Sequence, residues 1–214
     1  MMATMPRSDT YLLLIRHGQT EWNRERRIQG NGDSPLTPLG HEQAEAVAGA
    51  LRRYLIGSFY ASDSGRALQT ASPIVASSGQ PVTTDPRLRE RHYGLFEGKT
   101  QEEIRQTFPE IYMDYRKRLP DFVAPGGESS AKLQARAMEA CTEIVSRHSG
   151  QHVAIITHGG TIQAIARYVL DVPLTVQWRL RLENGGLTII RHSDRFPDRW
   201  WMITLNEVAH LWQI

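Results

Sequence analysis

The stretch YLLLIRHG, residues 11–18, decides the fold of this 214-residue chain. Its first five residues are apolar or aromatic and are followed at once by Arg16 and His17, the pattern of a short strand buried on both faces. The stretch VAIITHGG at 153–160 repeats this arrangement with His158. Strands buried on both faces are typical of parallel sheets covered by helices, so the two stretches predict an α/β fold.

The segments around these two strands alternate between helical and strand patterns. Strands that alternate with helices predict a three-layer α/β/α sandwich with a mostly parallel central sheet. We expect a single domain over 1–214, in which the irregular segment 90–127 covers a site. The predicted helices are 38–51, 66–76, 128–148 and 159–170, and the further predicted strands are 58–62, 81–85, 186–191 and 200–205.

The composition is that of a soluble globular protein, with 40% hydrophobic and 22% charged residues. The formal net charge of +2, with Lys and Arg spread along the chain, predicts no nucleic-acid partner. The apolar run at 11–15 is too short for a bilayer span or a signal peptide, so we expect no membrane association and a cytoplasmic location. Cys141 is the only cysteine, which excludes an internal disulfide and favours a packing role. These sequence patterns do not indicate the oligomeric state.

The ends of three predicted strands carry residues suited to a phosphate group. His17 and His158 follow the two buried strands, and Arg66 follows the strand at 58–62. Ligands of parallel α/β sheets bind at the carboxyl ends of strands, so we expect these side chains to converge. Taken alone, each has a structural interpretation, as a hydrogen-bonding histidine or a solvated arginine. Together with Arg16 they predict a site for a phosphomonoester dianion, because guanidinium groups bind phosphate oxygens in pairs and stay charged.

Glu90, in RLRERHYGLFEG at 87–98, is a candidate proton donor to a departing alkoxide. A salt-bridge role beside so many cations is an equally open interpretation. The sequence contains no HxH, HExxH or clustered acidic motif and no GxxxxGK[ST] loop. We therefore expect neither a metal site nor a nucleotide-binding loop.

Six segments occur in an order that resembles a known family. The ordered set is similar to the histidine phosphatase superfamily, which includes cofactor-dependent phosphoglycerate mutases and many small phosphatases. The resemblance extends from about residue 11 to 211 and implies a phosphoglycerate mutase-like fold. The segments are LIRHGQTEWN (14–23), ASDSGRALQTA (61–71), RLRERHYGLFEG (87–98), PGGES (125–129), IITHGG (155–160) and LNEVAHL (205–211).

The resemblance implies a role for each candidate residue. His17 is similar to the family's nucleophile, which becomes phosphorylated, and Glu90 matches its proton donor. The chemistry of the family needs no metal ion, because arginine and histidine stabilise the transferred phosphoryl group. The implied phosphate pocket consists of Arg16, His17, Arg66 and His158, with help from Asn23 and the backbone N–H of Gly159.

Two reactions are open to such a phosphohistidine. ERHYG at 90–94 is similar to the mutase motif, and Arg91, Tyr93 and Arg116 could contact a substrate carboxylate or hydroxyl, although Arg116 also fits a solvated helix end. The short stretch between Glu90 and PGGES favours the phosphatase branch, since a mutase must keep water from its phosphoenzyme.

We therefore expect a histidine acid-type phosphatase that hydrolyses small acidic phosphorylated metabolites without a cofactor. The alternative is a phosphoglycerate mutase, which would need priming by 2,3-bisphosphoglycerate. A binding protein without turnover is disfavoured because it would be expected to lack His17 or Glu90.

Overall fold

The computed structural model describes residues 9–76, 78–193, 195, 199–212 and 214. Within them, six strands form one sheet. The strands are β1 Thr10–Arg16, β2 Ile56–Ala61, β3 Val82–Thr84, β4 His152–Thr157, β5 Leu187–His192 and β6 Trp200–Glu207. Their order across the sheet is β3-β2-β4-β1-β5-β6, and β5 runs against the other strands, so the predicted mostly parallel sheet is confirmed.

The helices begin where the sequence supplies caps. Thr37 accepts a hydrogen bond from the Gly40 N–H and precedes Pro38, the first residue of its helix. Thr100 and Glu103 form a capping box. The helices of the described residues are α1 Glu21–Arg24, α2 Pro38–Leu51, α3 Gly65–Ala76, α4 Gln101–Thr107, α5 Pro109–Arg116, α6 Ser130–Arg147 and α7 Gly159–Val169.

The central strands β1 and β4 are paired in parallel over all of β4 and over all but the first residue of β1. Leu13 pairs with Ala154, and the last pair of the ladder is Arg16 with Thr157. The next residue of each strand is a histidine, so this register brings His17 and His158 to the same level of the sheet edge.

Helices cover both faces of the sheet, as the buried strands require. Leu12 and Leu14 point into a core formed with α6 and α7, while Leu13 and Ile15 point into a second core formed with α2 and α3. All four side chains are fully buried. The predicted three-layer sandwich is therefore confirmed.

Cys141 lies in the first of these cores, as expected of a packing residue. Burial raises the pKa of its thiol to about 12, so the sulfur stays protonated and unreactive.

The segment 90–127, which we call the cover, has a small core of its own. Phe96, Ile104 and Tyr112 are buried in it together with Ala124. The Glu97 carboxylate ties the cover to the loop after α1, because it accepts hydrogen bonds from the backbone N–H groups of Asn31, Gly32 and Tyr93.

Candidate active site

His17 is the first residue after β1, and its imidazole is fixed in one tautomer. The ring Nδ1 lies 2.8 Å from the carbonyl oxygen of Gly18. A carbonyl oxygen only accepts, so Nδ1 carries the proton and Nε2 keeps its lone pair. The ring is buried but lines a cavity at the sheet edge, to which it presents a nucleophilic nitrogen.

The surroundings of His17 also keep the ring uncharged. Burial, followed by the charges of Arg66 and Arg16, holds the pKa of His17 well below the ordinary value of 6.5. Burial removes the hydration that an imidazolium needs, and the two guanidinium groups repel its charge. His17 is therefore a neutral base at neutral pH.

Arg16 is the last residue of β1. One nitrogen of its guanidinium group donates a hydrogen bond, and another has no partner among the described residues. Its Nη1 donates to the Leu182 carbonyl at 2.5 Å. Its Nε is buried and has no hydrogen-bond partner among the described residues. Gly159 allows the guanidinium to lie close to α7, since a Cβ there would be 3.2 Å from Nε. The guanidinium lines the cavity, where its positive charge is suited to an anionic oxygen.

Arg66, near the start of α3, is fully buried and forms part of the cavity wall. Its Nη2 and Nη1 donate to the carbonyls of Gly30 and Gly32, each at 2.7 Å. Nη1 also lies 3.1 Å from Asp33 Oδ1. The guanidinium thus holds the loop after α1 in place while its charge faces the cavity.

His158 is fully buried behind His17, with the two rings 5.2 Å apart in an edge-to-face arrangement. Its Nδ1 accepts from Arg66 Nε at 3.2 Å, and its Nε2 lies 2.8 Å from Ser62 Oγ. Nε2 therefore carries the proton. Burial, followed by the charge of Arg66, holds the pKa of His158 well below 6.5. His158 is a second neutral histidine, engaged at both nitrogens.

The Glu90 carboxylate is held by backbone donors. Its Oε2 accepts from the N–H of Gly160 in the first turn of α7, and its Oε1 accepts from the N–H of Arg91, both at 2.8 Å. A side chain at residue 160 would collide with it, since a Cβ there would lie 2.2 Å from Oε1. Within the described ranges Glu90 forms no ion pair, so its carboxylate is free to act on a group in the cavity that it lines.

The cavity has a volume of about 150 Å³. His158 and Gly159 lie directly behind it, next to Arg66 and Arg16 respectively. The structure therefore gathers most of the residues proposed from the sequence at one place. Those that line the cavity are Arg16, His17, Asn23, Arg66, Glu90 and Tyr93.

Arg91 and Arg116 are not brought to the cavity. The buried Arg91 guanidinium donates to the carbonyls of Glu128 and Phe122, at 2.9 and 2.6 Å, and so ties the cover to the chain before α6. Arg116 is an exposed residue at the end of α5, with its guanidinium 6.0 Å from the ring of Tyr112. Adjacency to Glu90 in the sequence does not fix the direction in which the Arg91 side chain points.

Several residues of the site were not singled out by the sequence, among them Gln29, Tyr115 and Asn184. Gln29 and Tyr115 line the cavity. The Asn184 Nδ2 donates to the His17 carbonyl at 2.9 Å and to Asn23 Oδ1 at 3.1 Å, so it holds two site residues together. The only signal at Asn184 is the dipeptide Asn-Gly, which is typical of a turn.

No group of three or more His, Cys, Asp or Glu residues that could hold a metal ion occurs in the part of the chain that the structure describes. No helix formed by the described residues is long and apolar enough to cross a membrane.

The chain is similar to proteins named for both reactions that a phosphohistidine allows. It is 37% identical to a Serratia proteamaculans protein named "Probable phosphoglycerate mutase GpmB", over 92% of this chain and 93% of that one. The structure of YhfR from Bacillus stearothermophilus superposes with a TM-score of 0.86, at 38% identity, over 94% of this chain and 99% of that one. A mycobacterial glucosyl-3-phosphoglycerate phosphatase in complex with VO3 gives a TM-score of 0.80 at 29% identity, over 92% and 98% of the two chains.

A family model describes the chain almost from end to end. The model of the histidine phosphatase superfamily, branch 1, matches residues 12–207. The match includes both strand-end histidines and the whole cover. The chain therefore belongs to the histidine phosphatase superfamily, branch 1.

Proposed function

We propose that this protein is a phosphomonoesterase that forms a phosphohistidine at Nε2 of His17 and then hydrolyses it. One observation carries the proposal. The Nδ1–H of His17 donates to the Gly18 carbonyl, which leaves the lone pair of a neutral, buried imidazole in a cavity lined by Arg16 and Arg66. A nucleophile next to fixed cations is what phosphoryl transfer requires.

In the first half of the reaction, His17 Nε2 attacks the phosphorus. The P–N bond forms as the P–O bond to the alcohol breaks, and the departing alkoxide takes a proton from the carboxyl group of Glu90. The guanidinium groups of Arg16 and Arg66, which line the cavity, stabilise charge on the non-bridging oxygens.

In the second half, water attacks the same phosphorus. The Glu90 carboxylate takes a proton from the water, the P–N bond breaks, and phosphate leaves with His17 neutral and Glu90 protonated again. The N–H groups of Gly160 and Arg91 keep the carboxylate in place for both steps. Water is the only co-reactant.

The cavity supports transfer to water over return to the substrate. A cavity of about 150 Å³ leaves room for water beside a phosphoryl group, since one water takes up about 30 Å³ of liquid. A mutase must also hold the carboxylate of phosphoglycerate, and Arg91 and Arg116, the cations that the sequence offers for it, lie outside this cavity. The expectation of an acidic substrate thereby loses its main support. The 37% identity to a protein named as a phosphoglycerate mutase keeps that reaction as the second candidate.

Labelled phosphomonoester tests the proposed intermediate. After a rapid quench that avoids acid, the native enzyme should carry an acid-labile, base-stable phosphate, and His17→Ala should carry none. His41, an exposed histidine of α2, supplies the control, because His41→Ala should label like the native enzyme. Equal labelling of His17→Ala would rule out His17 as the nucleophile.

Product analysis separates the two reactions. The phosphatase should release inorganic phosphate from 3-phosphoglycerate and from p-nitrophenyl phosphate, with no 2-phosphoglycerate formed. Isomerisation that depends on 2,3-bisphosphoglycerate and outpaces phosphate release would establish the mutase instead.

We also propose that the reaction needs no metal ion, because Arg16 and Arg66 supply the positive charge that a metal supplies elsewhere. Activity should therefore survive prolonged incubation with EDTA. Loss of activity that one divalent cation restores would require a different mechanism.

A further inference from the structure

The chain that carries Glu90 lies beyond the end of the sheet. β3 ends at Thr84, six residues before Glu90, and residues 89–93 are in no helix or strand. The backbone carbonyls of residues 87–90, which we call the Glu90 segment, all accept hydrogen bonds from side chains. The position of the proposed proton donor therefore depends on those side chains.

Arg136, on α6, donates to three of these four carbonyls. Its Nη1 lies 2.7 Å from the carbonyl oxygen of Arg87 and 2.8 Å from that of Arg89. Its Nη2 lies 2.9 Å from the carbonyl oxygen of Glu90. The fourth carbonyl accepts from the hydroxyl of Thr157 at 2.6 Å. One guanidinium group thus holds the Glu90 segment at three points, the last of them on Glu90 itself.

The other donors of Arg136 are bonded to Glu128. Nε and Nη2 both donate to its carboxylate, so the five N–H donors of the guanidinium group are all used. Burial raises the pKa of Glu128, but hydrogen bonds from Arg136 and from the His92 N–H outweigh this effect and hold the pKa below its ordinary value. Arg136 has no donor left for a substrate, so its effect on the reaction passes through the Glu90 segment.

Glu90 is held at both ends. Arg136 bonds to its backbone carbonyl, and the N–H groups of Gly160 and Arg91 bond to its carboxylate oxygens, each at 2.8 Å. A shift of the backbone would therefore pull the carboxylate away from these two N–H groups. A misplacement of about 1 Å in an active site can cost about 10²-fold in rate.

We propose that Arg136 is a positioning residue, which aims the Glu90 carboxyl group at the oxygen of the departing alcohol. It acts through the backbone of the Glu90 segment and does not touch the substrate. This inference rests on the proposed function, in which Glu90 gives that oxygen its proton. Arg136 should therefore matter for esters whose alcohol needs a proton to leave, and little for esters whose alcohol does not.

Arg136→Lys tests the inference, because lysine keeps the charge but has only three donors for five acceptors. Rapid quench with labelled esters measures phosphoenzyme formation. The rate should fall by about 10²-fold with propyl phosphate and much less with p-nitrophenyl phosphate. The ratio of the two rates does not depend on the folded fraction of the enzyme, so a loss of stability alone leaves it unchanged. Equal losses with both esters would overturn the inference.

A double variant asks whether Arg136 acts through Glu90. The ionisable proton is already missing in Glu90→Gln, so adding Arg136→Lys should not lower the ratio of the propyl to the nitrophenyl rate any further. A further fall in the ratio would show a route that bypasses Glu90 and would overturn the inference. Arg147, exposed near the end of the same helix and paired with Glu143, supplies the matched control. Arg147→Lys should keep the native ratio.

Glu128→Gln replaces Arg136→Lys if the latter does not fold. The amide of the new side chain places an N–H group opposite an N–H group of Arg136, so the guanidinium must shift while its charge is kept. A loss that is larger with propyl phosphate than with p-nitrophenyl phosphate would support the inference. Equal losses would overturn it.

Failure of the proposed function is distinguishable from failure of this inference. If the native protein forms no phosphoenzyme from either ester, the proposed function fails. Amide hydrogen exchange, followed by NMR, then tests the position of the Glu90 carboxylate without turnover. In Arg136→Lys, the N–H groups of Gly160 and Arg91 should exchange about 10-fold faster relative to the N–H of the buried Ile155, the effect of one lost hydrogen bond. Native relative rates at both positions would overturn the inference.

Discussion

Arg66 Nε lies 3.2 Å from Nδ1 of His158, which makes the histidine a support for the guanidinium. Ser62 Oγ fixes the opposite nitrogen of the same ring at 2.8 Å. The imidazole is therefore held between a hydroxyl and a guanidinium, and it acts on the cavity through the position of Arg66.

Arg66→Lys tests whether the protein needs only the positive charge of Arg66 or also the hydrogen bonds of its guanidinium group. Lysine keeps the positive charge, but it cannot bond to the Gly30 and Gly32 carbonyls and to His158 at once. We expect the free energy of unfolding to fall by about 1–3 kcal/mol, because buried acceptors lose their donor. We expect kcat/KM to fall by about 10²–10³-fold, as on removal of one transition-state donor. Urea unfolding and steady-state kinetics measure the two effects.

The control for this variant is Arg105, which is exposed on α4 and pairs with Glu102 at 2.7 Å. Arg105→Lys should change stability by less than about 0.5 kcal/mol and leave kcat/KM unchanged. If Arg66→Lys were no less stable than Arg105→Lys, Arg66 would not be the anchor of the loop after α1.

The pH dependence should report the neutral state of His17. Its lowered pKa means that the ring stays unprotonated at a pH where an ordinary histidine, with a pKa of 6.5, gains a proton. The value of kcat/KM for an aryl phosphate, corrected for the fraction present as dianion, should therefore stay level as the pH falls through 6.5 and decline only at lower pH. Arg16→Gln removes one repelling charge and should move this decline towards 6.5. A decline at or above 6.5 in the native enzyme would contradict the prediction.

The sequence places His17 and His158 together for a physical reason. Both follow strands that are apolar on both faces, and such strands belong at the centre of a parallel sheet. The observed register, in which Arg16 pairs with Thr157, brings both histidines to one edge. The caps at Thr37 and Thr100 were likewise predictable, because capping depends on residues within a few positions along the chain.

Gln29, Asn184 and Arg91 could not be placed from the sequence. Asn184 reaches His17 across 167 positions of the chain, and no local pattern encodes such a contact. The direction of Arg91 depends on carbonyl groups at Glu128 and Phe122, which become available only when the cover packs against the start of α6. Gln29 stands out only in the structure, where its buried Oε1 has no hydrogen-bond donor among the described residues.

Glu90→Gln tests whether this carboxyl group donates the proton. The variant keeps the shape and removes the ionisable proton. Formation of the phosphoenzyme from alkyl phosphates should fall by about 10²–10⁴-fold, since an alkoxide needs a proton to leave. Formation from p-nitrophenyl phosphate should fall much less, because nitrophenolate leaves without one. Pre-steady-state kinetics must separate this step from the later hydrolysis, which also uses Glu90.

Equal losses for the two kinds of ester would assign Glu90 a structural role. The absence of an ion pair to Glu90 among the described residues argues against that outcome. The proton donor would then have to be sought among the other residues that line the cavity.

Gly160→Ala displaces Glu90 without changing its chemistry. The added Cβ would lie 2.2 Å from Oε1 and 2.9 Å from Cδ of Glu90, so the carboxylate must shift. If Glu90 is the proton donor, the variant should lose phosphoenzyme formation from alkyl phosphates by about 10²-fold and much less from the aryl ester, as in Glu90→Gln. Gly49, inside α2, has nothing within 4 Å of a Cβ, so Gly49→Ala should keep full activity and gain about 1 kcal/mol of stability from helix propensity. A Gly160→Ala enzyme that loses equal factors with both esters would show that the contact between α7 and Glu90 shapes the cavity and does not aim the proton.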